Sequence, residues 1–322
     1  ILRRLLTINR WVGSDTGKGR SRWPDGSEMP EMAQDRAVGG HLVRALRDDE
    51  IALYRTHGWV KAEALIAPET AAQMLAIARP IVETPDLADK DRRAPKTDDW
   101  GSRVVDSGYW RDYHFIARDD GREPFRTIAF DSAIGRNSQR LIGRDVAVRF
   151  NTDFLAVKVP GPTDGPANRP TAPHQDFVNV PFDRVGNHNY WIALDEVKAE
   201  QGALRFYSRS HRLGPLGLHD DDHEQVLASY RALMDAEGVA LSEPVELKPG
   251  DATIHSSMTI HCAPPNLTDR WRIGYVLAYM PADSRYTGAP YYNVAGTGIE
   301  MGDEFDHARF PIIYPRAQAN VA

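Results

Sequence analysis

Residues 245–283 read VELKPGDATIHSSMTIHCAPPNLTDRWRIGYVLAYMPAD, and their hydropathy pattern decides the fold. Short runs at Val245–Leu247, Ala252–Ile254 and Thr259–Cys262, and a longer one at Trp271–Tyr279, are apolar, partly β-branched and bounded by Pro, Gly, Asn or Asp. Each predicts a strand. Upstream, Val146, Val148 and Phe150 alternate, and Phe154, Ala156 and Lys158 alternate again in what reads as a following strand. Tyr190–Leu194 and Ala203–Tyr207 add two more. Helical signals lie ahead of the strands. A short helix capped by Asp48 runs to Gly58, and a second has Pro68 in its first turn with Ala72, Met74, Leu75, Ile77 and Ala78 as its apolar stripe. A third helical stretch covers Pro124–Ile142, and a helical insertion is expected near 222–237. Helices followed by many short strands predict an α+β chain: a barrel or jelly-roll core with flanking helices.

Composition narrows the classes. The 322 residues are 42% hydrophobic and 26% charged, which argues for a globular chain and against extended disorder. The charge sum, 39 − 45 = −6, implies no broad basic surface, so no nucleic-acid partner is expected. A single cysteine, Cys262, excludes an internal disulfide and a thiolate-rich metal site. No apolar run approaches the roughly 20 residues that cross a bilayer, so no membrane partner is expected and a soluble, cytoplasmic protein is. The basic opening ILRRLLTINR is followed by no secretory pattern, and the absent initial Met reads as a trimmed start. Residues 1–47 read as an arm or lid, 48–322 as a single domain, and 84–103 as a polar connection within it.

Chemistry enters at His174-Gln175-Asp176. On a strand the first and third side chains share a face, which offers an imidazole and a carboxylate to one metal ion. His261 supplies a second imidazole. If Thr259–Cys262 and Trp271–Tyr279 form a hairpin centred between Asn266 and Leu267, His261 lies opposite Arg272. Two histidines and a carboxylate make the facial triad that leaves positions open on non-haem Fe(II), for a bidentate oxo-acid and O2. The planar fork of Arg272 suits a second carboxylate, and Gly274 on the same face leaves room for a ligand. His255 competes weakly with His261 as a ligand. The run His219-Asp220-Asp221-Asp222-His223 reads as a solvated helix start, and Cys262 as a small buried residue. The aromatic cluster Tyr109–Phe115 reads as core or as a wall of the substrate pocket. The stretch TGAPYYNVAGTGIEMGDEF (287–305) has the Gly-rich composition of a lid.

These motifs carry a resemblance. DDEIALYRTHGWVKAEALIAPETA, FLAVKVPG, APHQD, YWIALDEVKAEQGALRFYSRSHRLG and the long C-terminal motif, spread with gaps over roughly 48–282, resemble the phytanoyl-CoA dioxygenase family of Fe(II)/2-oxoglutarate-dependent oxygenases. The resemblance implies a double-stranded β-helix, cupin-like, with His174, Asp176 and His261 as iron ligands. It implies that Arg272 binds the distal carboxylate of 2-oxoglutarate, with Lys158 and Trp191 lining the cosubstrate pocket. It further implies that 2-oxoglutarate and O2 yield succinate and carbon dioxide while a C–H bond of a small-molecule metabolite or natural-product intermediate is oxidised, hydroxylation being the leading outcome. Ala263 stands where the family often carries Ser, which leaves Ser257 or Thr259 to supply a hydroxyl, or none. An intact Asp176 disfavours halogenation, and an acyl-CoA substrate is disfavoured because no basic cluster is evident. Two other readings stay open: a non-catalytic jelly-roll ligand-binding protein, and a cupin-type metalloenzyme without 2-oxoglutarate, for which Arg272 would be dispensable. Homo-oligomerisation is also open.

Overall fold

The computed structural model describes residues 40–83, 104–106, 110–161, 169–216 and 227–315. Most of the expected arm, the 84–103 connection, Arg103, Tyr109 and the 219–223 run lie outside the described residues. In chain order the elements are α1 (Asp48–His57), β1 (Trp59–Ala62), α2 (Pro68–Val82), β2 (Val104–Asp106), β3 (Trp110–His114), α3 (Phe125–Ala129), α4 (Ser132–Ile142), β4 (Val148–Lys158) and β5 (Thr171–His174). They continue with β6 (His188–Ala193), β7 (Arg205–Ser208), α5 (Arg231–Ala236), β8 (Ala240–Leu241), β9 (Ala252–Ser256), β10 (His261–Ala263), β11 (Arg272–Pro281) and β12 (Ile312–Tyr314).

An eight-stranded sheet has the order β1-β9-β6-β11-β4-β3-β2, with β12 also on β4; a four-stranded sheet has the order β5-β10-β7-β8. From β4 to β11 the chain alternates between them, apart from β8, which extends the small sheet directly after β7: β4, β6, β9 and β11 belong to the large sheet, and β5, β7 and β10 to the small one. That alternation is the double-stranded β-helix expected from the sequence. It also overturns the predicted hairpin. The β10 strand pairs with β5 and β7, and Arg272 pairs with Lys158 of β4, so residues 264–271 cross between sheets. Asn266 stitches the crossing, donating from Nδ2 to the Arg270 carbonyl at 2.7 Å.

Other boundaries shift for local reasons. Arg47, not Asp48, is the N-cap of α1, because the Glu50 side chain accepts from the Arg47 amide at 2.7 Å and leaves Asp48 inside the first turn. The two runs around Phe150 and Phe154 form one eleven-residue strand, β4. Val245–Leu247 makes an isolated bridge, Val197 to Leu247, rather than a strand. Of the helical insertion, the described part ends in α5. Residues 40–47 fold onto α4: Asn137 accepts from the Leu46 amide at 2.8 Å and donates to the Arg44 carbonyl at 2.8 Å.

Strand alternation sorts the large sheet into two faces. Leu155, Val157, Tyr190, Ile192, Ile254, Ile273, Tyr275 and Leu277 point outward, into the core shared with Ile51, Met74, Phe125, Ile128 and Leu141 of the helices. The opposite residues, including Trp191, Ala193 and Val276, face the small sheet. This is why β11 reads as an unbroken apolar run after Arg272: every position is buried.

His188 lies on the helix-covered face, fully buried and ringed by Tyr54, Tyr190 and Tyr279. Its Nδ1 donates to the Gly186 carbonyl at 3.0 Å, and burial pushes its pKa down to about 4 from 6.5. The unfolded chain therefore binds this proton first. Stability attributable to His188 is intact above pH 6.5 and falls by roughly 3 kcal/mol as the pH drops toward 4. His188→Phe should flatten that part of the acid limb, read as a smaller difference in urea-unfolding free energy between pH 7 and pH 4.5.

Candidate metal centre

The β5 strand ends at His174, and Asp176 opens a 3₁₀ turn, Asp176–Asn179, so the two are not on one continuous strand as expected. They converge nonetheless, with His174 Nε2 3.4 Å from Asp176 Oδ1. The residue between them makes this possible. Gln175, 3% exposed, points away and ties the bend down: Nε2 donates to the Met258 carbonyl at 2.8 Å and the Gly214 carbonyl at 2.9 Å, and Oε1 accepts from the Leu216 amide at 2.8 Å. His261 is the direct cross-strand neighbour of His174, with ring centroids 4.3 Å apart, and its Nε2 lies 3.8 Å from the same Oδ1.

Each imidazole is oriented by a backbone carbonyl two residues earlier. His174 Nδ1 donates to Ala172 O at 2.8 Å and His261 Nδ1 to Thr259 O at 3.1 Å. A carbonyl only accepts, so each Nδ1 carries a proton and Nε2 is the ring atom turned toward the centre, the one a metal ion would take. Burial pushes His261 down to about 3 against the charge of Asp176, which keeps that ring neutral. At His174 burial is outweighed by hydrogen bonding to Asp176, and its pKa is raised. Asp176 is held well below the usual carboxylate range despite burial, by His261 first and by hydrogen bonds from His174 and His255. One ligand atom from each of the three residues lies within 4.8 Å of the others. Two imidazole nitrogens and one carboxylate oxygen make a donor set that suits a divalent first-row ion.

Asp176 Oδ2 accepts from Asn189 Nδ2 at 2.5 Å and from His255 Nε2 at 3.1 Å. Both donors come from the large sheet, where Asn189 and His255 are a registered β6–β9 pair. His255 is thus a neighbour of the triad rather than a member of it. Asn189 carries no motif signal; only sheet register brings it here.

Beside the centre lie two buried cations. Lys158 is 1% and Arg272 6% exposed, and they are paired across β4 and β11. Lys158 Nζ donates to the carbonyls of Arg169 and Ala263 at 3.2 and 3.3 Å. Arg272 Nη1 donates to Gly202 O, and its Nε has no partner among the described residues. Neither makes an ion pair with a described carboxylate. Burial lowers Arg272 to about 10, against the charge of Asp112, and lowers Lys158 to about 7, with Arg272 adding to the effect. Asp112 on β3, which the sequence did not single out, shares this face through its pairing with Ala156. Burial pushes its carboxyl up to about 8 against the pull of Arg272. Trp191 lies under the guanidinium, 5.2 Å from its ring centroid. Its indole also fills the space over Gly274, where a Cβ would run into the ring, so that glycine makes room for Trp191 rather than for a ligand.

The remaining candidates separate. The Thr259 hydroxyl donates to Gly58 O at 2.7 Å and is thereby engaged away from the centre. Ser257 Oγ is buried without a hydrogen-bond partner among the described residues. The expected lid segment supplies Tyr292, whose hydroxyl lies 3.1 Å from Thr152 Oγ1 and whose ring packs on His114 and Phe115.

Two outcomes follow. Gly274→Ala should cost about 1–3 kcal/mol by overpacking against Trp191, with a changed tryptophan emission; in a Trp191→Phe background the cost should shrink. Arg272→Met and Lys158→Met remove buried charges that have no described carboxylate partner, so the metal-free variants should match or exceed the parent in urea denaturation. The rupture of a buried ion pair would instead cost roughly 3–5 kcal/mol.

Comparison with known proteins agrees with this geometry. The family model for phytanoyl-CoA dioxygenase (PhyH) matches residues 54–274. A methylphosphonate hydroxylase of Gimesia maris is 36% identical over 109 residues, which is 34% of this chain and 38% of that protein; the chain thus matches well under half of that relative. The epimerase SnoN, solved with Fe3+, α-ketoglutarate and nogalamycin RO, superposes with a TM-score of 0.64 at 24% identity, over 83% of this chain and 98% of that one. The carbocyclase SnoK gives 0.61 at 22% identity over 85% and 99%, and EctD from S. alaskensis 0.58 at 16% over 77% and 83%. At these identities the structures speak for the fold. With the family model spanning more than half of its length, the chain belongs to the phytanoyl-CoA dioxygenase family of Fe(II)/2-oxoglutarate-dependent oxygenases.

Proposed function

We propose that His174, Asp176 and His261 bind Fe(II) and that Arg272 takes the distal carboxylate of 2-oxoglutarate, with Lys158 and Trp191 forming the walls of that pocket. The observation that carries this reading is the convergence of two Nε2 atoms and one Oδ1, 3.4 and 3.8 Å apart, beside two buried cations without a described carboxylate partner. Burying two unpaired cations is costly in a folded chain and is relieved when an anionic ligand enters. The bound ion and cosubstrate would supply oxidising chemistry with O2; this chain's residues keep Asp176 ionised and His261 neutral, aim the donors and orient the oxo-acid. Arg272 provides the fork, with the Trp191 ring beneath it, and Lys158 a second donor. Asp176 keeps a carboxylate in the ligand set, which speaks against halide entry.

The reaction we assign is oxidation of a C–H bond in a small-molecule metabolite, hydroxylation first, by a domain spanning residues 48–322 in the cytoplasm. The methylphosphonate hydroxylase match supports hydroxylation; the epimerase and carbocyclase of like fold make epimerisation and ring closure the alternatives. The test is succinate formation from 2-oxoglutarate with Fe(II) and O2 across a metabolite panel. One panel member is expected to stimulate it and to gain one oxygen atom. His261→Ala should abolish turnover, and Arg272→Met should weaken 2-oxoglutarate by about 2–5 kcal/mol, thirtyfold or more in KM. Succinate formation indifferent to Arg272 would instead support a metalloenzyme without this cosubstrate.

A further inference from the structure

We propose that Asn189 and His255 are positioning residues that restrict Asp176 to a one-oxygen contact with the metal, and so keep open the position that the oxo-acid needs. The proposal rests on the reading of His174, Asp176 and His261 as metal ligands.

A carboxylate beside a metal ion can bind through one oxygen or through both, and it takes the second mode when its outer oxygen is free to swing inward. Here that oxygen is occupied. Oδ2 of Asp176 accepts from Asn189 Nδ2 at 2.5 Å and from His255 Nε2 at 3.1 Å, which uses both of its in-plane lone pairs. The other oxygen, Oδ1, is the one facing His174 Nε2 and His261 Nε2. The carboxylate plane is therefore set by the two donors, not by the metal.

The donors are themselves held firmly. Asn189 and His255 are registered partners on adjacent strands, so the backbone ladder sets their separation. His255 is 3% exposed and wedged between Phe206 and His261, with ring centroids at 5.4 and 4.4 Å. Its Nδ1 has no hydrogen-bond partner among the described residues, and the proton that a neutral ring carries is on Nε2, toward Oδ2. Both donors stand on the large sheet, while His174, Asp176 and His261 come from the small sheet and its adjoining turn. The large sheet thus reaches the ligand set through these two side chains. Their loss would let Oδ2 compete for the position that one oxo-acid oxygen must take.

Co(II) binding by calorimetry, without cosubstrate, and then 2-oxoglutarate binding to the Co(II)-saturated protein test this. Asn189→Leu and His255→Phe should each lower Co(II) affinity about 10–100-fold, the usual loss when a partner behind a metal ligand is removed. The loss in 2-oxoglutarate affinity of the saturated variants should be larger still, and His255→Gln, which returns an N–H at similar reach, should restore both. A purely structural role would lower the thermal midpoint of the metal-free protein and leave both affinities near the parent, which overturns the proposal. Loss of Co(II) binding in His255→Phe as complete as in His261→Ala also overturns it, because His255 would then be a ligand. If Asn189→Leu does not fold, Asn189→Ser, too short to reach Oδ2, is read by the same criteria. His174→Ala and His261→Ala are the controls: Co(II) affinity unchanged in them would defeat the metal-centre reading itself, independently of the two donors.

Discussion

Three atoms able to ligate one metal ion, His174 Nε2, His261 Nε2 and Asp176 Oδ1, face one another, and much of the neighbouring architecture serves to hold them there. Each of the three groups is fixed from behind. The two imidazoles are fixed by carbonyls two residues earlier in the chain, and the carboxylate by an amide and an imidazole from the opposite sheet. The bend that carries Asp176 is anchored by Gln175, whose three hydrogen bonds reach the loops at 214–216 and 258. The site is therefore a property of two sheets meeting rather than of any one segment.

Next to this cluster the protein tolerates a second unfavourable arrangement, two adjacent buried cations answered mainly by backbone carbonyls. Asp112 is the acid that acts on Arg272, and burial keeps its own carboxyl reluctant to ionise. Trp191 partly compensates by placing its π face under the guanidinium, and Gly274 is small because that indole lies on it. Stability is drawn instead from the other face of the same sheet, where Tyr190, Ile192, Tyr275 and Leu277 pack against helices α1 to α4. Chemistry and cohesion thus occupy opposite faces of the same strands.

The three candidate ligands that the structure brings together were legible because their chemistry is local: an imidazole and a carboxylate two residues apart, and a late His eleven residues before an Arg. The main helices and the strands β4, β6, β7, β9, β10 and β11 were legible from period and punctuation, whereas β1, β2, β3, β8 and β12 were not. The reading of His261 against Arg272 as hairpin partners was not sound, since Pro264-Pro265-Asn266 serves equally well for a tight turn and for a passage between sheets. Nothing within the segment distinguishes the two; the distinction lies in β5 and β4, about ninety and a hundred residues away along the chain. Asn189, Asp112 and the contact of His255 with Asp176 were missed for the same reason, because each acquires its neighbour through register.

What the sequence determined by itself was the alphabet of the site and the class of fold: which residues can ligate, which segments alternate, and where helices stop. Tertiary structure decided which strands pair, that His174 and His261 are cross-strand neighbours, that Trp191 rather than a ligand fills the space above Gly274, and which oxygen of Asp176 faces the centre. The physical reason is that periodicity and capping energies act over a few residues, whereas pairing between sheets depends on contacts whose partners only folding brings together.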